Sequence, residues 1–382
     1  MKVLIAIDSF KGSLASIEVS ECIEKGIKEV YPDAFITKVP IADGGEGTVD
    51  SFLTNLGGIR VPVTVHDPLM RKRVAYYGIL PDNTAVIEMA EASGLTLLTK
   101  DERNPLETTT YGVGEIILDA LNRGCRNFVI GLGGSATNDS GIGMLQALGY
   151  RFFDVNHNEL FGIAESLNKI QCFIDENVPE ELYDCHFEVL CDVKNPLYGI
   201  NGASFVYAKQ KGADESMIIK LDEGLQNFAK VVEEIYGKDY AHHEGAGAAG
   251  GLGFAFLAFL NARLVNGIEL LINKLDLDKI ISYYDIIITG EGKMDSQSLM
   301  GKVPYGITRL GKKHNIPVIG LCGGLMDEAY KMHEVGMTAL FSIMNYPMNL
   351  EEAMDKDKAK FLLISNTREI FRLIKMNSEY KS

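Results

Sequence analysis

Residues 2–41 read KVLIAIDSFKGSLASIEVSECIEKGIKEVYPDAFITKVPI, and their pattern decides the fold class. Lys2–Asp8 is an apolar run of strand type closed by an acid. Ser16–Tyr31 has apolar residues at helical spacing, so Ile17, Cys22, Ile23, Ile27 and Val30 can share one face. Phe35–Ile41 is the next strand. Strand, helix, strand at this spacing is a βαβ unit, which implies a parallel sheet.

The rhythm changes beyond this stretch and later returns. Ile59–Val65, Val74–Leu80 and Thr84–Met89 are short strands in succession, with Pro81-Asp82-Asn83 as a turn. Asn127–Leu132 is a strand running into a glycine-rich loop, and Asp139–Leu148 reads as a helix. Phe187–Cys191 is a buried strand, and Glu215–Tyr236 a long amphipathic helix. Tyr284–Thr289, Ile316–Cys322 and Ala339–Ser342 then read as strands, with helices at Val303–Lys313 and Lys356–Lys375. Successive strands without helices predict antiparallel or mixed pairing in the middle. The expectation is an α/β protein of two domains. Residues 1–62 and 283–382 would build a discontinuous parallel-sheet domain, and residues 63–282 an inserted mixed-sheet α/β domain.

A chain of 382 residues exceeds what one core usually holds, which agrees with two domains. Lys plus Arg number 37 against 52 Asp plus Glu, a formal charge of −15. That balance argues against nucleic acid or an anionic membrane as partner. The 39 glycines exceed the usual share of roughly 7% and point to tight turns and close backbone approach to ligands. None of the six cysteines forms a C-x-x-C pair, so reduced, mostly buried thiols are expected. The apolar run at the N-terminus is too short for a signal-peptide core. The run from Gly245 to Arg263 falls short of the ~20 apolar residues of a membrane span and reads as a buried helix. A cytoplasmic location follows as an expectation.

Several predicted strands end in the same kind of loop: polar, glycine-rich, with an acid or a lysine. These are 8–13 (DSFKGS), 42–48 (ADGGEGT), 131–139 (GLGGSATND), 191–196 (CDVKNP) and 289–295 (TGEGKMD). Each alone has a bland reading, since Asp8 can simply cap the next helix and Gly44-Gly45 can be a turn. Together they point to a small-molecule site, because ligands of open α/β sheets lie at the carboxyl ends of strands. The chemistry suggested is phosphoryl transfer. Gly131–Asp139 follows a strand and opens a helix, so its amides and the helix N-terminus can hold an anion. Asp8, Asp43, Glu46, Asp192, Glu291 and Asp295 could bind Mg²⁺ or deprotonate a hydroxyl. Lys11, Lys211 and Lys302 could neutralise phosphate or carboxylate charge.

Three other features carry less. Gly245–Gly250 fits G-x-G-x-x-G but follows the polar stretch 239–244, not a strand, so the dinucleotide-binding context is missing. Gly301-Lys302 has Ser296 where Walker A needs its first glycine and Val303 where it needs Ser or Thr, so Walker A fails. His242-His243 lacks a partner at ligand spacing.

At the glycine-rich loops the sequence resembles the bacterial glycerate kinase family that lacks a P-loop. The resemblance rests on DSFKGSL (8–14), IADGGEGT (41–48), IEMAEASGL (87–95), TTTYGVGE (108–115), GLGGSATNDSG (131–141), CDVKNP (191–196), QKGA (210–213), GAGAAGGLG (245–253) and TGEGKMDSQSLMGK (289–302). It implies ATP, Mg²⁺ and D-glycerate as substrates and cofactor, with 2-phosphoglycerate as product. It also implies a flavodoxin-like discontinuous domain with a second domain inserted. Two positions depart from the pattern: Ala208-Lys209 stand where the family has Gly-Pro, and Ser140 where glycine is common.

The roles implied are as follows. Asp192 is the base that orients or deprotonates the substrate hydroxyl, and Lys11 shares the catalytic set. Lys11 and Lys302 contact phosphate or carboxylate. Asp8, Asp43 and Glu291 serve substrate or Mg²⁺, and Asp295 is the metal ligand. Gly133, Gly134 and Ser135 cradle an anion. Ser9, Gly44, Gly45, Glu46, Asn138, Asn195, Lys211 and Gln297 complete the substrate- and ATP-binding set. Glu88 reads equally well as a buried structural acid. The alternatives kept open are 3-phosphoglycerate as product, an NAD-dependent hydroxy-acid dehydrogenase, and a two-lobed binding protein. A homodimer is left open.

Overall fold

The computed structural model describes residues 1–42 and 44–379, so the expected site residue Asp43 lies outside the described residues. In chain order the strands are β1 (Lys2–Ile7), β2 (Phe35–Pro40), β3 (Ile59–His66), β4 (Lys72–Ile79), β5 (Thr84–Glu88), β6 (Asn127–Gly131), β7 (Arg151–Phe153), β8 (Glu159–Leu160), β9 (Cys172–Ile174), β10 (His186–Leu190), β11 (Arg263–Val265), β12 (Ile286–Met294), β13 (Val318–Leu325) and β14 (Ala339–Ser342). The helices used below are α1 (Ser16–Lys28), α2 (Thr48–Leu56), α3 (Tyr111–Asn122), α4 (Ile142–Ala147), α5 (Glu215–Tyr236), α6 (Ala248–Phe259), α7 (Val303–Lys313) and α8 (Lys356–Glu379). The chain divides into two compact units at 43/44 and 265/266. The limits expected from the sequence were 62/63 and 282/283. Ile59–His66 is one unbroken strand that pairs along its whole length with β4. We propose the two compact units as the domains.

The first unit holds a five-stranded parallel sheet of order β14-β13-β12-β1-β2. Numbered within the unit, that is the 2-1-3-4-5 order of the flavodoxin-like fold, and the order reverses between β1 and β12. β1 is buried at every position after Lys2, as a strand covered on both faces must be. α1 buries Val19, Cys22, Ile23 and Ile27. Gly26 lets it approach α8 closely, since a Cβ there would stand 2.7 Å from the Ile364 carbonyl. β12 is longer than the sequence suggests. Its pairing with β13 continues through Lys293↔Gly324 and Met294↔Leu325, so Gly290 and Glu291 lie within the strand rather than in a loop.

The second unit holds a six-stranded mixed sheet, β11-β10-β6-β5-β4-β3. β5, β6, β10 and β11 run parallel, while β3 and β4 form an antiparallel edge. β7, β8 and β9 make a small separate sheet. The apolar 252–259 part of α6 is an interior helix, with Leu252, Phe254 and Phe256 at 0–1% exposure. Stacked Phe128 and Phe187 pack beside it, 4.7 Å apart. No helix among the described residues is long and apolar enough to cross a membrane.

Candidate active site

The first unit presents its site residues at the point where strand order reverses. Asp8 follows β1, is 3% exposed, and its N–H donates to the Gly290 carbonyl of β12 at 3.0 Å. Its carboxylate accepts the Ser9 N–H at 2.6 Å. Gly292 runs so close to the 10–11 backbone that a Cβ would meet the Phe10 Cα at 3.1 Å. Glu291, 6% exposed, points from the same strand end and lies 3.9 Å from the Lys302 ammonium. The half-buried Lys302 thus sets a positive charge against the buried Glu291 carboxylate. Lys11 and Gln297 are exposed.

Asp295 begins the short 3₁₀ segment Ser296–Met300. Its carboxylate accepts the Gln297 N–H at 2.9 Å and pairs with Lys293 at 3.2 Å. Partial burial works against its ionisation, but the Gln297 N–H, Lys293 and Lys302 together hold it below the usual carboxylate range. Its first role is thus to close its own turn. Among the described residues no group of three or more His, Cys, Asp or Glu side chains could hold a metal ion. The first unit's carboxylates fit a cation that arrives with a ligand's phosphates, because Mg²⁺ typically takes one or two carboxylates and fills its remaining positions with phosphate and water.

In the second unit three loops converge at the carboxyl ends of β5, β6 and β10. The Gly133 N–H donates to the Gly44 carbonyl at 3.0 Å. Glycine is required here by proximity: a Cβ on Gly133 would stand 2.5 Å from the Gly45 Cα, and one on Gly131 2.5 Å from the Gly44 oxygen. Gly44 lies against Leu190 at the end of β10. The Gly45 carbonyl accepts the Thr48 hydroxyl at 2.7 Å, and Glu46 is exposed at the tip. Glu88 ends β5 and accepts the Val49 N–H in the first turn of α2 at 2.8 Å. Burial pushes its pKa up to about 7 against the pull of that bond, and Glu91 adds to the rise.

The loop 131–139 is held mainly by buried side chains. Lys211 is 2% exposed, and its Nζ donates to Ser135 Oγ at 2.9 Å and to the Thr137 carbonyl at 2.6 Å. Burial pulls its pKa down to about 7, with Asp139 acting in the opposite sense. Asp139 is fully buried, which raises its pKa. It accepts the Thr110 N–H at 2.8 Å and hydroxyl at 2.7 Å, and the Gly141 and Gly143 N–H groups at 3.3 Å each. This corrects the expected anion site at a helix N-terminus. The helix starts at Ile142, not Asp139, has six residues, and its leading amides are already bonded to Asp139.

Asn138 and Asn195 are also built into the scaffold. Asn138 is fully buried and donates to Ser204 Oγ at 3.1 Å. Asn195 donates to the Asn201 carbonyl at 2.8 Å and accepts the Tyr207 hydroxyl at 2.7 Å. Asp192 is part-exposed just beyond β10, with Cys191 beside it. Burial raises that thiol to about 11, against a smaller pull from the Val193 backbone. All six cysteines are free thiols. Of the positions that depart from the family pattern, Lys209 is exposed, while Ser140 is buried with φ 51°.

The Gly245–Gly250 run follows a turn and not a strand. Gly250 packs on the 137–138 backbone, where a Cβ would stand 2.1 Å from the Thr137 oxygen. It is an interior turn, closed to a dinucleotide. The residues that sequence reasoning missed are Asp139 and Thr110 as the loop's clamp. The only signal for them was their place inside two of the family motifs.

The model of the glycerate kinase family matches residues 3–375. The chain is 47% identical over 354 residues to the glycerate 2-kinase of Escherichia coli K12, covering 92% of this chain and 93% of that protein. It is 43% identical over 356 residues to the glycerate kinase of Bacillus subtilis 168, covering 93% of each. A crystal structure of a Salmonella typhimurium LT2 chain assigned as glycerate kinase 2 superposes with a TM-score of 0.87, at 41% identity and over 99% of both chains. The protein belongs to the glycerate kinase family.

Proposed function

We propose that the protein is an ATP-dependent glycerate 2-kinase. It transfers the γ-phosphoryl group of ATP to the 2-hydroxyl of D-glycerate and yields 2-phosphoglycerate and ADP. The observation that carries this reading is the family match along residues 3–375, with 47% identity to a glycerate 2-kinase. The loops at the strand ends of each unit supply the residue types that the reaction needs. The dehydrogenase alternative loses its basis, because Gly245–Gly250 is packed inside the second unit.

In this reading the substrate hydroxyl oxygen attacks the γ-phosphorus, the bond to the β-phosphate oxygen breaks, and Asp192 receives the hydroxyl proton. Phosphoryl transfer gains mainly from positioning and charge stabilisation. Lys11 and Lys302 offset charge on phosphate or carboxylate, and Gly133, Gly134 and Ser135 lie along the phosphates. Asp8, Glu291 and Asp295 would hold Mg²⁺, which neutralises phosphate charge when bound. Asp43, Ser9, Gly44, Gly45, Glu46 and Gln297 complete the substrate contacts. The six free thiols and the absence of a membrane-crossing helix among the described residues are compatible with a cytoplasmic location. Sedimentation equilibrium tests for a homodimer.

Phosphorus NMR of the protein with ATP, Mg²⁺ and D-glycerate tests the reading, beside an Asp192→Asn variant. A new phosphomonoester signal whose proton coupling marks the 2-position, and which the variant forms far more slowly, is expected. Coupling to the 3-position would overturn the regiochemistry, and intact ATP would overturn the kinase.

A further inference from the structure

Lys211 was expected among the groups that touch a ligand's charge, yet its environment is that of an interior strut. It belongs to the 3₁₀ segment Lys209–Lys211, and three backbone bonds brace that turn: Lys211 N–H to the Ala208 carbonyl at 3.0 Å, Gly212 N–H to Lys209 at 3.1 Å, and Ala213 N–H to Ala208 at 3.1 Å. Gly212 follows with φ 100°, and a Cβ there would lie 2.3 Å from the Arg103 oxygen. The base of the side chain is therefore fixed. Its far end bridges Ser135 Oγ and the Thr137 carbonyl, two positions apart on the glycine-rich loop.

The rest of the loop is tied by its backbone, by Asp139, by the Thr108 hydroxyl donating to the Ala136 carbonyl at 3.1 Å, and by Asn138 donating to Ser204 Oγ at 3.1 Å. Gly133 N–H bonds Gly44, the Gly134 carbonyl accepts from Leu95 at 2.8 Å, and Ala136 N–H bonds Ser93 at 2.9 Å. Between these ties, the side chain of Ser135 and the carbonyl of Thr137 are set by Lys211. We propose that Lys211 is a positioning residue, which fixes the Ser135–Thr137 segment in the shape that receives the nucleotide phosphates and does not contact them itself. This rests on the kinase reading and deepens it.

The chemistry of a buried amine agrees. Of the charged groups packed around Lys211, Asp139 acts on it directly and is itself bonded to Thr110. Arg103 lies at the neighbouring turn, with its Nε buried and without a hydrogen-bond partner. A lysine that held phosphate by charge would fail as it deprotonated. A lysine that holds a hydroxyl and a carbonyl works in both forms, because the neutral amine keeps two N–H donors and gains an acceptor for Ser135.

The test uses the full-length protein with Lys211→Met, Ser135→Ala and the double variant. A non-hydrolysable ATP analogue is titrated calorimetrically, and amide hydrogen exchange is followed over residues 133–139. Lys211→Met is expected to weaken analogue binding about tenfold, the worth of roughly one lost hydrogen bond, and to speed exchange in that segment by a similar factor. The double variant is expected to bind no more weakly than Lys211→Met. The ratio of wild-type to Lys211→Met kcat/KM should stay level from below to above pH 7.

Additive losses, with exchange unchanged and a ratio that falls as pH rises through 7, would overturn positioning in favour of direct phosphate contact. Unchanged binding and exchange with a lower Tm alone would make Lys211 merely structural. Should Lys211→Met fail to fold, Ser135→Ala alone must speed exchange at 134–137, or the proposal falls. A wild type that binds no nucleotide overturns the kinase reading itself, whereas normal wild-type binding with unchanged variants overturns the positioning role alone.

Discussion

The carboxylate of Glu88, at the end of β5, accepts the Val49 N–H at 2.8 Å, so the first turn of α2 rests on an acid that burial has made hard to ionise. The same turn continues from the Gly44–Thr48 loop that bonds Gly133. A titrating group thus supports one wall of the second unit's site.

This relationship sets a pH dependence. The pKa of Glu88 rises from 4.5 to about 7, so the folded chain binds its proton more tightly than the unfolded chain. Stability therefore falls as pH rises from about 4.5 to about 7, and the cost is fully present above that. Glu88→Gln keeps an acceptor for Val49 and removes the titration. Calorimetry from pH 5 to 7.5 should show a variant curve flatter than wild type by about 1–3 kcal/mol. Parallel curves would remove Glu88 from the account.

Gly133→Ala should be far more damaging than Gly134→Ala. The first puts a Cβ 2.5 Å from the Gly45 backbone, while the second meets only the Ala90 Cβ at 3.4 Å and carries the strain of φ 78°. Parting the two loops by ~1 Å is expected to lower kcat/KM about a hundredfold. Steady-state kinetics with ATP and D-glycerate give the comparison, and equal losses in the two variants would contradict it.

Ser140→Gly should stabilise the protein. Ser140 is buried at φ 51°, and its hydroxyl has no hydrogen-bond partner. Glycine adopts that conformation without the Cβ penalty and removes an unsatisfied polar group. A gain of ~0.5–1 kcal/mol is expected, less any cost in chain entropy, and the urea midpoint measures it.

Lys302→Met should raise KM for the anionic substrates, because it removes the positive charge 3.9 Å from Glu291 and makes the strand end more negative. The rise is expected to be about tenfold at low salt and smaller at high salt. Lys302→Arg should recover part of it, and a salt-independent effect would point to packing instead.

Periodicity alone was enough for β1, α1 and β2, and for the parallel sheet they imply, because those patterns are local. The glycine-rich motifs likewise announced which strand ends carry chemistry. Their roles were less legible. Lys211 and Lys302 are the same residue type in similar loops, yet one is sealed inside the second unit and the other faces Glu291. Asp139 and Asp192 both follow strands, but Asp139 is consumed by Thr110 and the 141–143 amides. The extent of β12 depended on a partner thirty residues away, and the place of β3 on its pairing with β4. Sequence by itself determined most strands of the two main sheets, the parallel rhythm of the first unit and the family resemblance. Burial and pairing, which are properties of distant segments brought together, decided which polar groups bind the protein to itself and which remain for a ligand.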